Sequence, residues 1–104
     1  MATSIVSVAY PKGGKFDMEY YVKKHMPFVQ LKWSPFGLKA WRVAHYTNPE
    51  SPYIAQAWLE FVDEPSWAKA SVSNEAKEIF SDIPSYTDAT PVVLTGTIPE
   101  AKTW

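Results

Sequence analysis

A histidine stands four residues after a tyrosine in "EYYVKKHMPF", residues 19–28, and side chains at that spacing share one face of a helix. His25 titrates near neutral pH, so it can accept and return a proton without a metal. Tyr21 can hydrogen-bond the imidazole or polarise a substrate oxygen. A helix that ends near His25 would favour the imidazolium and leave carbonyls to hold one ring nitrogen. The spacing alone favours a plainer reading, a histidine capping a helix end with Tyr21 in the core. His45 has two readings as well: a second acid–base group sharing a pocket with His25, or a strand-surface imidazole at an interface. Asp82 and Asp88 read as a general base or as turn residues that hydrogen-bond backbone. Trp41, Trp58 and Trp67 suit core or interface, or the walls that stack on a flat ligand. Trp33 and Trp104 fall in a loop and at the terminus, where dimer contacts would suit them. Lys23 and Lys24 read as a solvated helix face.

Composition removes several other chemistries. The 104 residues contain no cysteine, which excludes disulfides, thiolate metal sites and cysteine nucleophiles. "YPKGGKF" lacks the glycine spacing of a nucleotide loop, and there is no nucleophile elbow. Two histidines on different elements and dispersed carboxylates make no metal cluster, so no cofactor is expected. Net charge is −1, giving no basis for nucleic acid or an anionic membrane as partner. The N-terminus has no secretion-signal pattern and no stretch is apolar enough to span a membrane, so the chain reads as a cytoplasmic, soluble protein. Charge is uneven: seven basic residues and two acidic lie up to Arg42, and three basic and nine acidic follow. Two copies could match complementary ends, or the charges are simply solvated.

The elements that must position these residues follow from periodicity. "SIVSVAY" (4–10) is a first strand, stopped by Pro11 and the Gly13-Gly14 pair. Asp17 suits an N-cap, and Tyr21, His25, Phe28 and Val29 form one face of the helix it opens. Pro27 cannot donate to the Lys23 carbonyl, which predicts a break or kink near His25 and a second short turn. Residues 37–47 and 53–62 read as a hairpin around "NPESP". Residues 63–80 read as a second helix with an inward stripe of Ala68, Val72, Ala76 and Ile79. Residues 81–91 are loop and 92–98 a last strand.

The order βαββαβ over residues 1–104 predicts a single α+β domain of ferredoxin-like type, a four-stranded antiparallel sheet with two helices on one face. Strand one alternates Ser4, Val6, Val8 and Tyr10 with Ile5, Ser7 and Ala9, and strand three alternates Ile54, Gln56 and Trp58 with Ala55, Ala57, Leu59 and Phe61. Neither face is frankly polar, which predicts that two sheets pack together in a homodimer. An aromatic share of 15% is more flat surface than one small core absorbs, and some of it is expected to meet a partner or ligand.

"FDMEYYVKKHMPFV" resembles the first-helix signature of the EthD family (ethyl tert-butyl ether degradation), of the dimeric α+β barrel superfamily. Phe16-Asp17, Tyr20-Tyr21, His25, Pro27 and Phe28 carry the resemblance, with looser support from "YPKGG" and "IFSDIPSYTDATPVVLTGTI". It implies a dimer whose sheets face each other, with a ligand pocket in each subunit between helices and sheet and the His25 ring pointing into it. That tips His25 towards chemistry. The leading expectation is a cofactor-independent enzyme that dehydrates, decarboxylates, cyclises or isomerises a hydrophobic aromatic or polyketide-like molecule. His25 would be general acid or base, Tyr21 its partner, His45 a weaker second group, and Phe28, Trp41, Trp58 and Tyr86 the pocket walls. The alternatives are a cofactor-free monooxygenase of aromatic polyketides and a non-catalytic dimer that binds a hydrophobic ligand. The chain lacks the histidine context of the haem-binding branches.

Overall fold

The structure, a computed structural model, describes residues 3–104. Four antiparallel strands, β1 (Ser4–Pro11), β2 (Leu38–His45), β3 (Tyr53–Phe61) and β4 (Val92–Thr97), lie in the order β2-β3-β1-β4. Strand alternation decides which face is buried. In register, Ser4, Val6, Val8 and Tyr10 of β1 stand opposite Phe61, Leu59, Ala57 and Ala55 of β3. These rows face the helices, and Val6, Tyr10, Ala55, Ala57, Leu59 and Phe61 are buried. The fold is α+β and ferredoxin-like.

The first helical run differs from its expected form. Asp17 caps α1 (Met18–Tyr20), its carboxylate accepting the Tyr20 N–H at 3.1 Å. The chain then continues unbroken through a π-helical segment (Tyr21–His25) into α2 (Met26–Trp33). Pro27 therefore does not end the helix. In the π segment the Met26 N–H reaches back to the Tyr21 carbonyl, five residues away. The wider turn relieves the proline's clash with the preceding carbonyl row, and the missing N–H falls at the start of α2, where it costs little. Trp33, expected in a loop, is consequently the last residue of α2 and buried. A short 3₁₀ turn (Ser34–Phe36) then ends at Gly37, whose φ of 108° closes the turn and starts β2.

The second helix is also two. In α3 (Glu64–Ser71) and α4 (Asn74–Ser81) the chain breaks at Val72 because Ser73 caps a new start, its hydroxyl oxygen accepting the Ala76 N–H. That moves the inward stripe. Ala76 and Ile79 are buried as expected, whereas Val72 is 81% exposed and Ala70 takes the inward place. Trp33 meets Phe61, Trp67 and Phe80 edge-on, and Phe61 and Trp67 pack at a tilt, across the layer between helices and sheet. No helix among the described residues is long and apolar enough to cross a membrane.

Candidate functional site

His25 lies on the inner face of the π segment and is 3% exposed. Side chains four apart lie on the same face of a helical run. The Tyr21 and His25 rings accordingly stack, with centroids 5.6 Å apart and planes 15° from parallel.

The partners of His25 come from the loop after α4. Asp82, the C-cap of α4, presents Oδ2 to His25 Nδ1 at 2.9 Å and accepts the Tyr20 hydroxyl on Oδ1 at 2.8 Å. Four residues on, the Tyr86 hydroxyl lies 3.4 Å from His25 Nε2 and 2.5 Å from the Tyr10 hydroxyl. The loop is tied to the start of the helical run, where the Asp17 N–H donates to the Tyr86 carbonyl and Thr87 Oγ1 donates to the Lys15 carbonyl. Asp88 accepts the Lys15 N–H and serves the backbone, whereas Asp82 serves the histidine.

Burial lowers the His25 pKa below its ordinary value, although Asp82 pulls it upward. The ring is therefore neutral near pH 7. Burial alone would raise the Asp82 carboxyl, but hydrogen bonds from His25 and Tyr20 outweigh it and hold the group below the usual range. A carboxylate facing Nδ1 requires the proton on that nitrogen, which leaves the lone pair on Nε2. With the Tyr86 hydroxyl donating to Tyr10, Nε2 keeps its lone pair and the Tyr10 hydroxyl proton is available to a further acceptor. Burial pushes the Tyr10, Tyr21 and Tyr86 phenols upward, so each remains a protonated donor. The arrangement is a neutral base, oriented by a carboxylate, with phenolic donors beside its free nitrogen.

Beside this network a cavity of about 110 Å³ opens between sheet and helices. Val6, Val8 and Leu59 form its floor, Met26 and Val29 one wall, and Trp67, Ile79 and Ile83 the other. His25, Tyr10 and Tyr21 bring nearly all its polarity, and Trp33 closes part of its lining.

Of the residues anticipated from sequence, His25 and Tyr21 line this cavity and Phe28, Trp41, Trp58 and His45 do not. Phe28 falls outside because helical continuity puts His25, Val29 and Trp33 on the inner face; its ring lies under the Lys32 ammonium instead. Trp41 is on the helix side of β2 but is engaged by Gln30 Oε1, to which its indole donates at 2.9 Å. Trp58 is opposite Ser7 on the sheet's other face. His45 is exposed at the end of β2, away from His25. Tyr86 is a hydrogen-bond partner of His25 rather than a wall. Sequence reasoning misses Tyr10 and Trp33. Tyr10 is visible in the alternation of β1, since it shares a face with Val6 and Val8; Trp33 is hidden by the expected helix break.

No family model and no curated protein matches the chain. Solved structures do. An EthD-like protein from Ralstonia eutropha superposes with a TM-score of 0.86 at 23% identity, covering 99% of this chain and 97% of that one. Hydroxynitrile lyase from Passiflora edulis gives 0.71 at 13% identity, covering 98% of each chain. A dimeric ferredoxin-like protein of unknown function from Jannaschia gives 0.67 at 14% identity, covering 92% and 99%. With the strand order and the helix-covered face already described, these likenesses establish that the chain has the ferredoxin-like α+β fold shared by the EthD-like protein.

Proposed function

We propose that the chain is an EthD-type, cofactor-independent enzyme that moves a proton on a small hydrophobic substrate, with His25 as the base. The observation that carries this reading is the buried His25 ring, held by the partly exposed Asp82 carboxylate at 2.9 Å and set at an otherwise apolar cavity. A histidine held on Nδ1 by a carboxylate, with its lone pair on Nε2, is arranged for general base catalysis. His25 Nε2 takes a proton from a carbon next to a carbonyl, the imidazolium that forms is held by Asp82, and a phenolic hydroxyl donates to the oxygen on which negative charge collects. Tyr10 supplies that donor, since it lines the cavity and stays protonated. Returning the proton from His25 to another carbon isomerises the substrate; passing it to a β-hydroxyl as that C–O bond breaks releases water, dehydrates the substrate and regenerates the neutral imidazole. A dimer supports the same reading, because the sheet's other face carries Ile5, Ala9, Ile54, Trp58 and Leu94 and is closed to water most simply by a second sheet.

The test is carbon-bound proton exchange in D₂O, followed by NMR, on small aryl ketones and their β-hydroxy derivatives. The expected outcome is protein-dependent exchange or elimination that falls by roughly 10²–10⁴-fold in His25→Gln. Unchanged exchange in a folded His25→Gln variant would overturn the assignment.

A further inference from the structure

The cavity beside His25 is shut on most sides. Val6, Leu59, Met26, Val29 and Ile79 in its lining are buried, and so are His25, Tyr10 and Tyr21. Two of its lining residues stand apart: Phe80 is 47% and Val93 48% exposed. For Val93 the exposure has a direction. It stands opposite Val8 in register, and opposite residues on neighbouring strands point to the same face, so the Val93 side chain is on the helix side of the sheet. Water that reaches it therefore reaches the side on which the cavity lies. Thr95, opposite Val6, and Thr97, opposite Ser4, are exposed on that same side, so the helices leave the inner face of β4 uncovered. Phe80, near the end of α4, is the half-exposed lining residue of the helix layer.

We infer that the substrate enters between α4 and β4, past Phe80 and Val93, and that Val93 is a specificity-determining residue whose side chain sets the girth of what passes. This rests on the reading of the site given above and adds a substrate class to it. The enclosed volume is about 110 Å³, less than the apolar cavity of about 150 Å³ that takes up benzene. A substrate larger than benzene is therefore not wholly enclosed: its reacting end lies inside, and the remainder occupies the mouth against Val93 and Phe80. Apolar atoms suit that position, since Phe80, Ile83, Pro91 and Val93 carry no charge. The class that fits is a slender carbonyl compound, unbranched behind its reacting end; a compact, branched isomer collides with Val93.

Two isomeric ketones test this, 2-heptanone and 4,4-dimethyl-2-pentanone, which share an acetyl group and differ in girth behind it. Exchange of the shared methyl in D₂O should be about tenfold faster in kcat/KM for the linear isomer, and Val93→Ala should narrow that ratio without moving the His25 titration. The chain has no cysteine, so Val93→Cys carries a single thiol, at the mouth. Benzyl methanethiosulfonate converts it to a mixed disulfide with release of methanesulfinate, and dithiothreitol returns the thiol. The plugged protein should exchange 2-heptanone about tenfold more slowly and bind it more weakly, binding being read without chemistry from the NMR shifts of the Leu59 and Ile79 methyls; reduction should restore both. A thiol that resists the reagent, a plugged protein that binds and exchanges as before, equal rates for the two isomers, or no binding of 2-heptanone by wild type overturns the entrance. Loss of exchange in His25→Gln with binding indifferent to the plug would sink the entrance and spare the base; plug-dependent binding with undiminished exchange in His25→Gln would do the reverse.

Discussion

Replacing Asp82 by Asn keeps an oxygen within reach of His25 Nδ1 and removes the charge. In the native site the carboxylate lies 2.9 Å from that nitrogen, with the imidazole side chain 4% and the carboxylate 21% exposed. Asp82 is the group that raises the His25 pKa against the depression caused by burial. Without it burial acts alone, so the ring should titrate at lower pH than in wild type. A hydrogen bond to a charged partner contributes about 1.5–3 kcal/mol and a neutral one about 0.5–1.5. The imidazolium formed on proton abstraction therefore loses roughly 1–2 kcal/mol, and exchange should slow by about 5–30-fold. The assay is a pH titration of the ring resonances, with His45→Gln separating the two histidines. Its companion is the exchange rate at a pH where His25 is neutral in both proteins. An unmoved or raised His25 titration in Asp82→Asn would refute the argument, since it would mean that the carboxylate does not act on the ring.

Two further outcomes follow from the same geometry. His25 is depressed in the folded state, so below about pH 6.5 the unfolded chain takes up a proton that the folded ring still refuses. Stability should be full above that pH and decline as pH falls towards the folded-state value; urea midpoints at pH 7.5 and 5.5 should show the decline in wild type and a shallower one in His25→Gln, and equal slopes would count against it. On the sheet's other face, Leu94 is 57% exposed and opposite Ser7 in register, so Leu94→Glu should convert the proposed dimer to monomer in sedimentation runs, and an unchanged dimer would place the interface elsewhere.

The sheet is legible in the sequence because its signal is local. Strand alternation sorts Ala55, Ala57, Leu59 and Phe61 from Gln56 and Trp58, and the structure keeps that sorting. The Asp17 cap is legible for the same reason. Asp82 is visible only as one of two loop acids, because its partner is 57 residues away and nothing in the spacing distinguishes it from Asp88. Tyr86 belongs to the site in a role that its residue type does not disclose. An aromatic residue near a pocket reads as surface to stack on, and its hydroxyl between Tyr10 and His25 is a tertiary fact.

Pro27 has the widest consequence. The rule that proline breaks a helix interior assumes α-helical bonding, and a π segment meets the steric demand another way, by lengthening one turn. That local choice keeps the run from Tyr21 to Trp33 continuous: Tyr21 and His25 stack on one face of it, and Trp33, which would otherwise lie beyond the helix, ends α2 in the lining of the same cavity. The same adjustment explains why a break expected at His25 hides Trp33 from a reading of the sequence, although the Tyr21–His25 pairing is readable from spacing.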